Sequence, residues 1–358
     1  MKRHDNPVRV CYMGIADPRF SRSGVFMPAL KARGVKVVEC FTEKSGFERF
    51  LTLFKKHRKI HDEYDLLVVA YPGYAIVWFA RMLSRKPVVF DALCTLWEAE
   101  TFSHKAKPLR RARIRFIDWL SVWCASVVLV ESEAQKAFFL DRFGGNPERY
   151  HVVYTGVDES VFNADGVMKL PRFTVVFRGR LTYESGIEYV VRAAKLLDGD
   201  GISFRIIGYG YKLAEVNDLI KKLQIRNVEV ISQRLPANEM KMKMAECHVS
   251  IGQLSDNVRL VRTIPHKAFE SLALRLPYIT ARAGAIGEIL KDGKSCMMIP
   301  PADPQALAEA IVTLRDNPEY AESLQKEGHD FFEKNLSQRA LGERLVSLFT
   351  GLINTQPR

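Results

Sequence analysis

The feature that leaves this chain the fewest folds is a rhythm of apolar runs, glycine loops and helical patterns. Val8-Arg-Val-Cys-Tyr-Met13 is a short apolar run, and a loop from Gly14 to Gly24 follows it. A helical pattern then spans Val25 to Arg33, stops at Gly34 and yields to Val35–Phe41. Strand, loop, helix, strand is a βαβ unit, which implies a parallel sheet. Further strands are predicted at Leu66–Ala70, Pro87–Phe90, Ser126–Val130 and Tyr150–Tyr154. Residues 156–166 lose periodicity and read as a linker. The rhythm then restarts, with strands at Phe173–Phe177, Ser203–Ile207, Val228–Ile231, Val249–Gly252, Tyr278–Thr280 and Cys296–Ile299. Helices are predicted at Ile187–Leu197, Pro304–Leu314 and Gln338 to Ile353. The expectation is two α/β domains, 1–165 and 166–336, with 337–358 as a closing helix.

A length of 358 residues suits two such domains better than one core. A net charge of +12 and a pI near 9.4 point to an anionic partner: nucleic acid, a lipid surface or phosphorylated small molecules. The opening residues 1–7 carry no apparent secretion signal. The longest uncharged run, Leu66 to Ala80, is shorter than the roughly 20 residues a membrane span needs. Cys11, Cys40, Cys94, Cys124, Cys247 and Cys296 form no Cys-x-x-Cys pair, the pattern of buried reduced thiols in a cytosolic protein.

The most informative stretch runs from Thr263 to Thr280. It reads as a helix opening on Pro265, with Glu270 following within two turns. A helix N-terminus attracts phosphate, and a carboxylate one turn further along can accept from vicinal hydroxyls. Phosphates beside a diol describe a nucleotide. The same stretch also suits a surface helix with one solvated Glu.

Val152–Asp158, Gly179-Arg-Leu181, Ile207-Gly-Tyr-Gly210, Phe269–Pro277 and Pro300–Pro304 resemble, in order, motifs of the family 4 (group 1) glycosyltransferases with the GT-B fold. The likeness is strongest from Val152 to Leu314. It implies an α/β architecture of two Rossmann-like domains, with parallel sheets facing across a cleft. It also implies a last helix that returns to the first domain. The implied activity is transfer of a hexosyl or uronosyl group from a nucleotide-diphosphate donor, of UDP or GDP type, with retention and without a metal or other cofactor. The donor is expected on the second domain and the acceptor on the first.

By resemblance, Arg180 is the guanidinium that meets charge growing on the departing diphosphate. The family's accompanying Lys falls on Ser185, so one cation is missing, and Arg259, Arg262 and Lys267 all remain open as substitutes. Glu270 matches the carboxylate that accepts from ribose hydroxyls. The family's sugar-reading Glu falls on Arg262, which suggests an acidic donor sugar such as a uronate. Thr263, His266 and Lys267 are expected beside the diphosphate, while Pro265 removes one backbone donor. Gly208, Gly210 and Leu235 mark the region expected to hold the base. Gly24 matches the glycine loop that approaches the phosphates, and Asp91 stands where relatives line the acceptor side.

Lys105, Lys107, Arg110, Arg111, Arg113 and Arg115 form an acid-free run that leads into Phe116, Ile117, Trp119 and Leu120. Phe47 to Lys59 is apolar on one side and basic at its end. Both suit helices on an anionic bilayer as well as solvated helix faces. Since both fall in the domain expected to hold the acceptor, the reading is a cytoplasmic protein peripheral to the inner membrane face. Its partners are then a nucleotide sugar and a lipid-linked or glycan acceptor of polysaccharide or glycolipid biosynthesis. No nucleic-acid module is recognised. The competing reading is a GT-B relative without transferase activity that binds nucleotide sugar or serves as a partner subunit.

Overall fold

The computed structural model describes residues 8–101 and 108–355. The chain divides into two units, 1–156 with 338–358, and 157–337. The division falls at Gly156, at the start of the predicted linker, so residues 157–165 belong to the second unit.

The first unit alternates β1 (Arg9–Gly14), α1 (Ser23–Lys31), β2 (Lys36–Phe41), α2 (Glu48–Ile60), β3 (Leu66–Val69), α3 (Val77–Leu83) and β4 (Val88–Leu93). It continues through α4 (Leu96–Thr101), α5 (Pro108–Cys124), β5 (Val127–Val130), α6 (Glu133–Phe143) and β6 (Tyr150–Val152). The six strands pair in parallel in the order β2-β1-β3-β4-β5-β6. Strands β1 and β3 are nearly free of exposed surface because each has neighbours in the sheet and helices on both faces. One face packs Leu53, Val77 and Val122 from α2, α3 and α5, and the other packs α1.

The second unit contains β7 (Thr174–Arg178), α7 (Ile187–Leu196), β8 (Ser203–Ile207), α8 (Leu213–Lys222), β9 (Val228–Ile231) and α9 (Ala237–Ala245). β10 (Val249–Ile251), α10 (His266–Ala273), β11 (Tyr278–Ala281), α11 (Ile286–Ile289), β12 (Met297–Ile299), α12 (Pro304–Asp316) and α13 (Pro318–Asn335) complete it. Its six parallel strands run in the order β12-β11-β10-β7-β8-β9. The chain builds outward from β7 through β8 to β9, then returns to β10 on β7's other side. The carboxyl ends of β7 and β10 therefore flank a topological switch point, where open α/β sheets bind ligands.

The closing helix α14 (Gln338–Asn354) belongs to the first unit, where Leu341, Leu345 and Phe349 are fully buried beside Phe26 and Leu30 of α1. Gly342 allows the close approach, since a Cβ there would lie 2.7 Å from the Ala29 carbonyl oxygen. Five cysteines are buried and Cys124 is half-buried, all as free thiols. Among the described residues, no helix is long and apolar enough to cross a membrane. Phe349→Ala is expected to cost about 3–5 kcal/mol of stability by opening a cavity under α14. Urea unfolding would measure the loss, with ligand binding to the second unit unchanged in the remaining folded protein.

Candidate functional site

The second unit holds a pocket of about 360 Å³ at the carboxyl ends of β7, β8 and β9. Arg178, Gly179 and Arg180 form one wall, Gly208 and Tyr209 another, and Gln233, Arg234 and Leu235 a third. Two backbone turns meet at its base. A Cβ on Gly208 would fall 1.9 Å from the Gly179 carbonyl oxygen, so only glycine lets the β7 and β8 loops touch there.

Beneath this wall lies a buried charge cluster. Glu270 on α10 is 5% exposed, and its Oε1 lies 2.9 Å from Nη1 of Arg178. The other oxygen, Oε2, has no hydrogen-bond partner among the described residues. Lys267, one turn earlier, is equally buried. Its Nζ lies 3.6 Å from the Phe177 ring centroid and 3.4 Å from Oε1 of Gln253. Burial pushes the Glu270 carboxyl up, opposed by Arg178 and Lys267. It holds the Lys267 ammonium well below its usual range, with Arg178 adding to the fall and Glu270 opposing it. Lys267 also lies against the Gly179 turn, since a Cβ on that glycine would be 3.1 Å from Nζ. One carboxylate thus pairs with Arg178 behind the pocket wall, with the buried Lys267 one turn away on the same helix.

Helix α10 differs from its sequence reading in one respect. Pro265 is the N-cap, with ψ of 134°, and not the first helical residue. Its missing N–H therefore lies outside the helix, and His266 and Lys267 head the first turn without a side-chain cap.

Of the residues singled out in the sequence, Arg180, Gly208 and Leu235 line the pocket, with Arg180 exposed. Glu270 and Lys267 join them through Arg178 and Gly179. Gly210 packs against the same wall, where a Cβ would meet the Leu181 carbonyl oxygen at 2.3 Å. Arg262 caps a short 3-10 turn before Thr263, and His266 rests edge-on to Phe269. Ser185 is fully buried and holds its own turn together: Oγ donates to the Thr182 carbonyl at 2.6 Å and accepts from the Thr182 N–H at 3.3 Å. A side chain so engaged contributes no charge to the pocket.

Gly24 and Asp91 lie in the first unit. Gly24 stands in the first turn of α1, where a Cβ would meet the Arg19 carbonyl oxygen at 2.4 Å. Asp91 lies within β4, and not after it as the sequence suggested. It is wholly buried, with Oδ1 2.7 Å from Nε of an equally buried Arg22. Burial raises its pKa and Arg22 opposes the rise.

Arg178 escaped the sequence reading because it closes an apolar strand, where a single Arg reads as a strand end. Its position directly before Gly179-Arg180 was the one available signal. Among the described residues, no group of three or more His, Cys, Asp or Glu side chains is placed to hold a metal.

Comparison with known proteins gives the arrangement a context. The model described as Glycosyl transferases group 1 matches residues 163–331, and that described as Glycosyltransferase Family 4 matches residues 1–161. A glycosyltransferase assigned to colanic acid biosynthesis in Salmonella typhimurium is 26% identical over 58% of this chain and 53% of its own length. The chain therefore spans about half the length of that relative. The D-inositol 3-phosphate glycosyltransferase of Corynebacterium glutamicum is 22% identical over 89% of this chain and 79% of its own. The structure of Anabaena HepE, solved in complex with UDP and glucose, has a TM-score of 0.74 at 16% identity, covering 96% of this chain and all of that one. At that identity the likeness establishes the two-unit α/β fold, GT-B.

The pairing of Arg178 with Glu270 can be weighed directly. A double-mutant cycle of Arg178→Ala and Glu270→Ala, read by urea unfolding, is expected to give a coupling energy of about 0.5–3 kcal/mol. Arg180→Ala, at an exposed position, is expected to change stability by no more than about 0.5 kcal/mol.

Proposed function

Because the chain belongs to the group 1 glycosyltransferases of family 4, we propose that it moves a sugar from a nucleotide-diphosphate donor, with retention, to a lipid-linked or glycan acceptor at the cytoplasmic membrane face. The observation that carries this reading is the pocket at the carboxyl ends of β7, β8 and β9, walled by Arg180 and backed by the buried Arg178–Glu270 pair with Lys267 one turn away on α10.

In this reading, breaking the sugar–phosphate bond leaves negative charge on the departing diphosphate. Without a metal, that charge must be met by fixed cations and backbone N–H groups sheltered from water. Arg180, exposed in the pocket, offers a planar guanidinium suited to phosphate oxygens. The capless start of α10 adds backbone donors. Among the three candidates for the missing second cation, burial beside the Gly179 turn favours Lys267. An incoming diphosphate would favour its charged form, offsetting the desolvation that depresses its pKa. Oε2 of Glu270 is the acceptor available to the ribose diol, while Oε1 is held by Arg178. Arg262, standing where the family's sugar-reading Glu falls, favours an acidic donor sugar such as a uronate, which a donor panel headed by a neutral hexose would refute.

The test begins with a thermal-shift panel of UDP, GDP and their sugars, since a ligand at one hundred times its Kd adds about 2.7 kcal/mol to the folded state. One nucleoside diphosphate is expected to raise the Tm. Turnover is then followed with membrane lipid extract as acceptor. Arg180→Ala and Lys267→Ala are each expected to lower turnover by about two to three powers of ten. Arg180→Ala is expected to leave nucleotide binding nearly intact, whereas Glu270→Ala weakens both. Full activity in Arg180→Ala would overturn its role. Tight nucleotide binding without release of the diphosphate from its sugar would favour a non-catalytic subunit.

A further inference from the structure

Helix α5 is apolar on two faces. Ile114, Ser121 and Val122 are buried toward the sheet, and Asp118 beside them accepts from the Leu96 and Trp97 N–H groups at 2.7 and 3.0 Å, which fixes the helix's rotation. On the opposite side Phe116, Trp119 and Trp123 are 59%, 46% and 67% exposed. Their rings form a ladder, with successive centroids 6.0 Å apart and planes inclined by 28° and 13°. At about 100° per residue the three side chains fall within an arc of roughly 60°, flanked by Arg113 and Arg115. None of α5's exposed residues is acidic. Lys105 and Lys107, which extend the basic run in sequence, lie outside the described residues.

The neighbouring helices share this character. Helix α3 packs against both α5 and α2. Between α2 and α3, Phe47, Phe50, Leu51, Phe54, Trp78 and Phe79 line a groove of about 380 Å³ with apolar side chains alone. Phe47 and Met82 beside it are each 74% exposed. Lys55, Arg58 and Lys59 on α2 and Arg81, Arg85 and Lys86 at the end of α3 are exposed as well. Soluble surfaces scatter large apolar side chains singly, and contiguous patches mark a contact surface.

We propose that the outward face of α2, α3 and α5 docks on an anionic lipid bilayer. Rings of Phe and Trp settle at the boundary between headgroups and acyl chains, where amphipathic aromatics gain most. The interleaved cations match lipid phosphates, each adding about 1 kcal/mol of attraction. A protein partner would have to match an excess of Lys and Arg spread over three helices with carboxylates of its own, whereas an anionic bilayer meets that charge everywhere along its plane. The inference rests on the membrane-face part of the function proposed above and gives it a surface.

The full chain is to be sedimented with vesicles of phosphatidylcholine alone and of phosphatidylcholine mixed with phosphatidylglycerol. Binding to the mixed vesicles, weakened by salt, is expected. Of the four tryptophans, Trp78, Trp119 and Trp123 lie on this face, so acyl-brominated lipid is expected to quench the intrinsic fluorescence. Combining Phe116→Ser, Trp119→Ser and Trp123→Ser is expected to lower vesicle affinity more than about tenfold with the Tm retained. Arg111→Glu with Arg113→Glu, at exposed positions, provides an independent variant with the same expectation. Failure of the parent chain to bind either vesicle, or parental binding by both variants, would overturn the proposal. So would a dimer dispersed by the same substitutions in the absence of vesicle binding. Lipid binding is read without sugar transfer, so failure here leaves the nucleotide pocket and its test untouched.

Discussion

A carboxylate buried against the guanidinium of Arg178 is the interaction on which the second unit's site depends. Burial pushes the Glu270 carboxyl up, and Arg178 at 2.9 Å is the main charge opposing that rise. Each member needs the others: Lys267 loses stability as a cation on burial, and Arg178 would otherwise lack a partner for Nη1. The cluster ties the carboxyl end of β7 to the first turns of α10, and that tie aligns the pocket wall with a helix N-terminus. A buried ion pair is weak evidence for stability; here it holds the carboxyl end of β7 against α10.

The backbone around the cluster is arranged for close approach. Gly208 touches the Gly179 carbonyl at a distance no side chain would permit, so the loops after β7 and β8 form one continuous wall. Gly186, at φ of 65°, brings its turn against the backbone of Leu254 and Ser255 and keeps Ser185 inside. This engagement explains how the chain forms the turn without the lysine that its relatives are expected to carry there.

The first unit uses its helices differently. α1 and α14 cover one face of the sheet and bury their apolar stripes in the ordinary way. α5 buries one stripe and presents a second, aromatic and flanked by arginines, to its surroundings.

Much of this was legible in the chain itself. The alternation of apolar runs and helical patterns determined two parallel sheets, because strand and helix periodicities are local properties that short windows carry. Eleven of the twelve strands lie within two residues of their predicted bounds at either end; β4 runs on to Leu93, three residues past the expected Phe90. Helix α13 passed unnoticed, since its polar sequence from Pro318 to Asn335 buries little beyond Leu324, Gly328 and Phe332. Arg180, Gly208 and Leu235 were legible as pocket residues through their likeness to the family's motifs, and they stand in the loops after β7, β8 and β9. The partners of Glu270, the inward turn of Ser185 and the burial of Asp91 against Arg22 were decided only by the tertiary structure. Each depends on which distant side chains meet away from water, and that is a matter of packing between elements far apart in sequence.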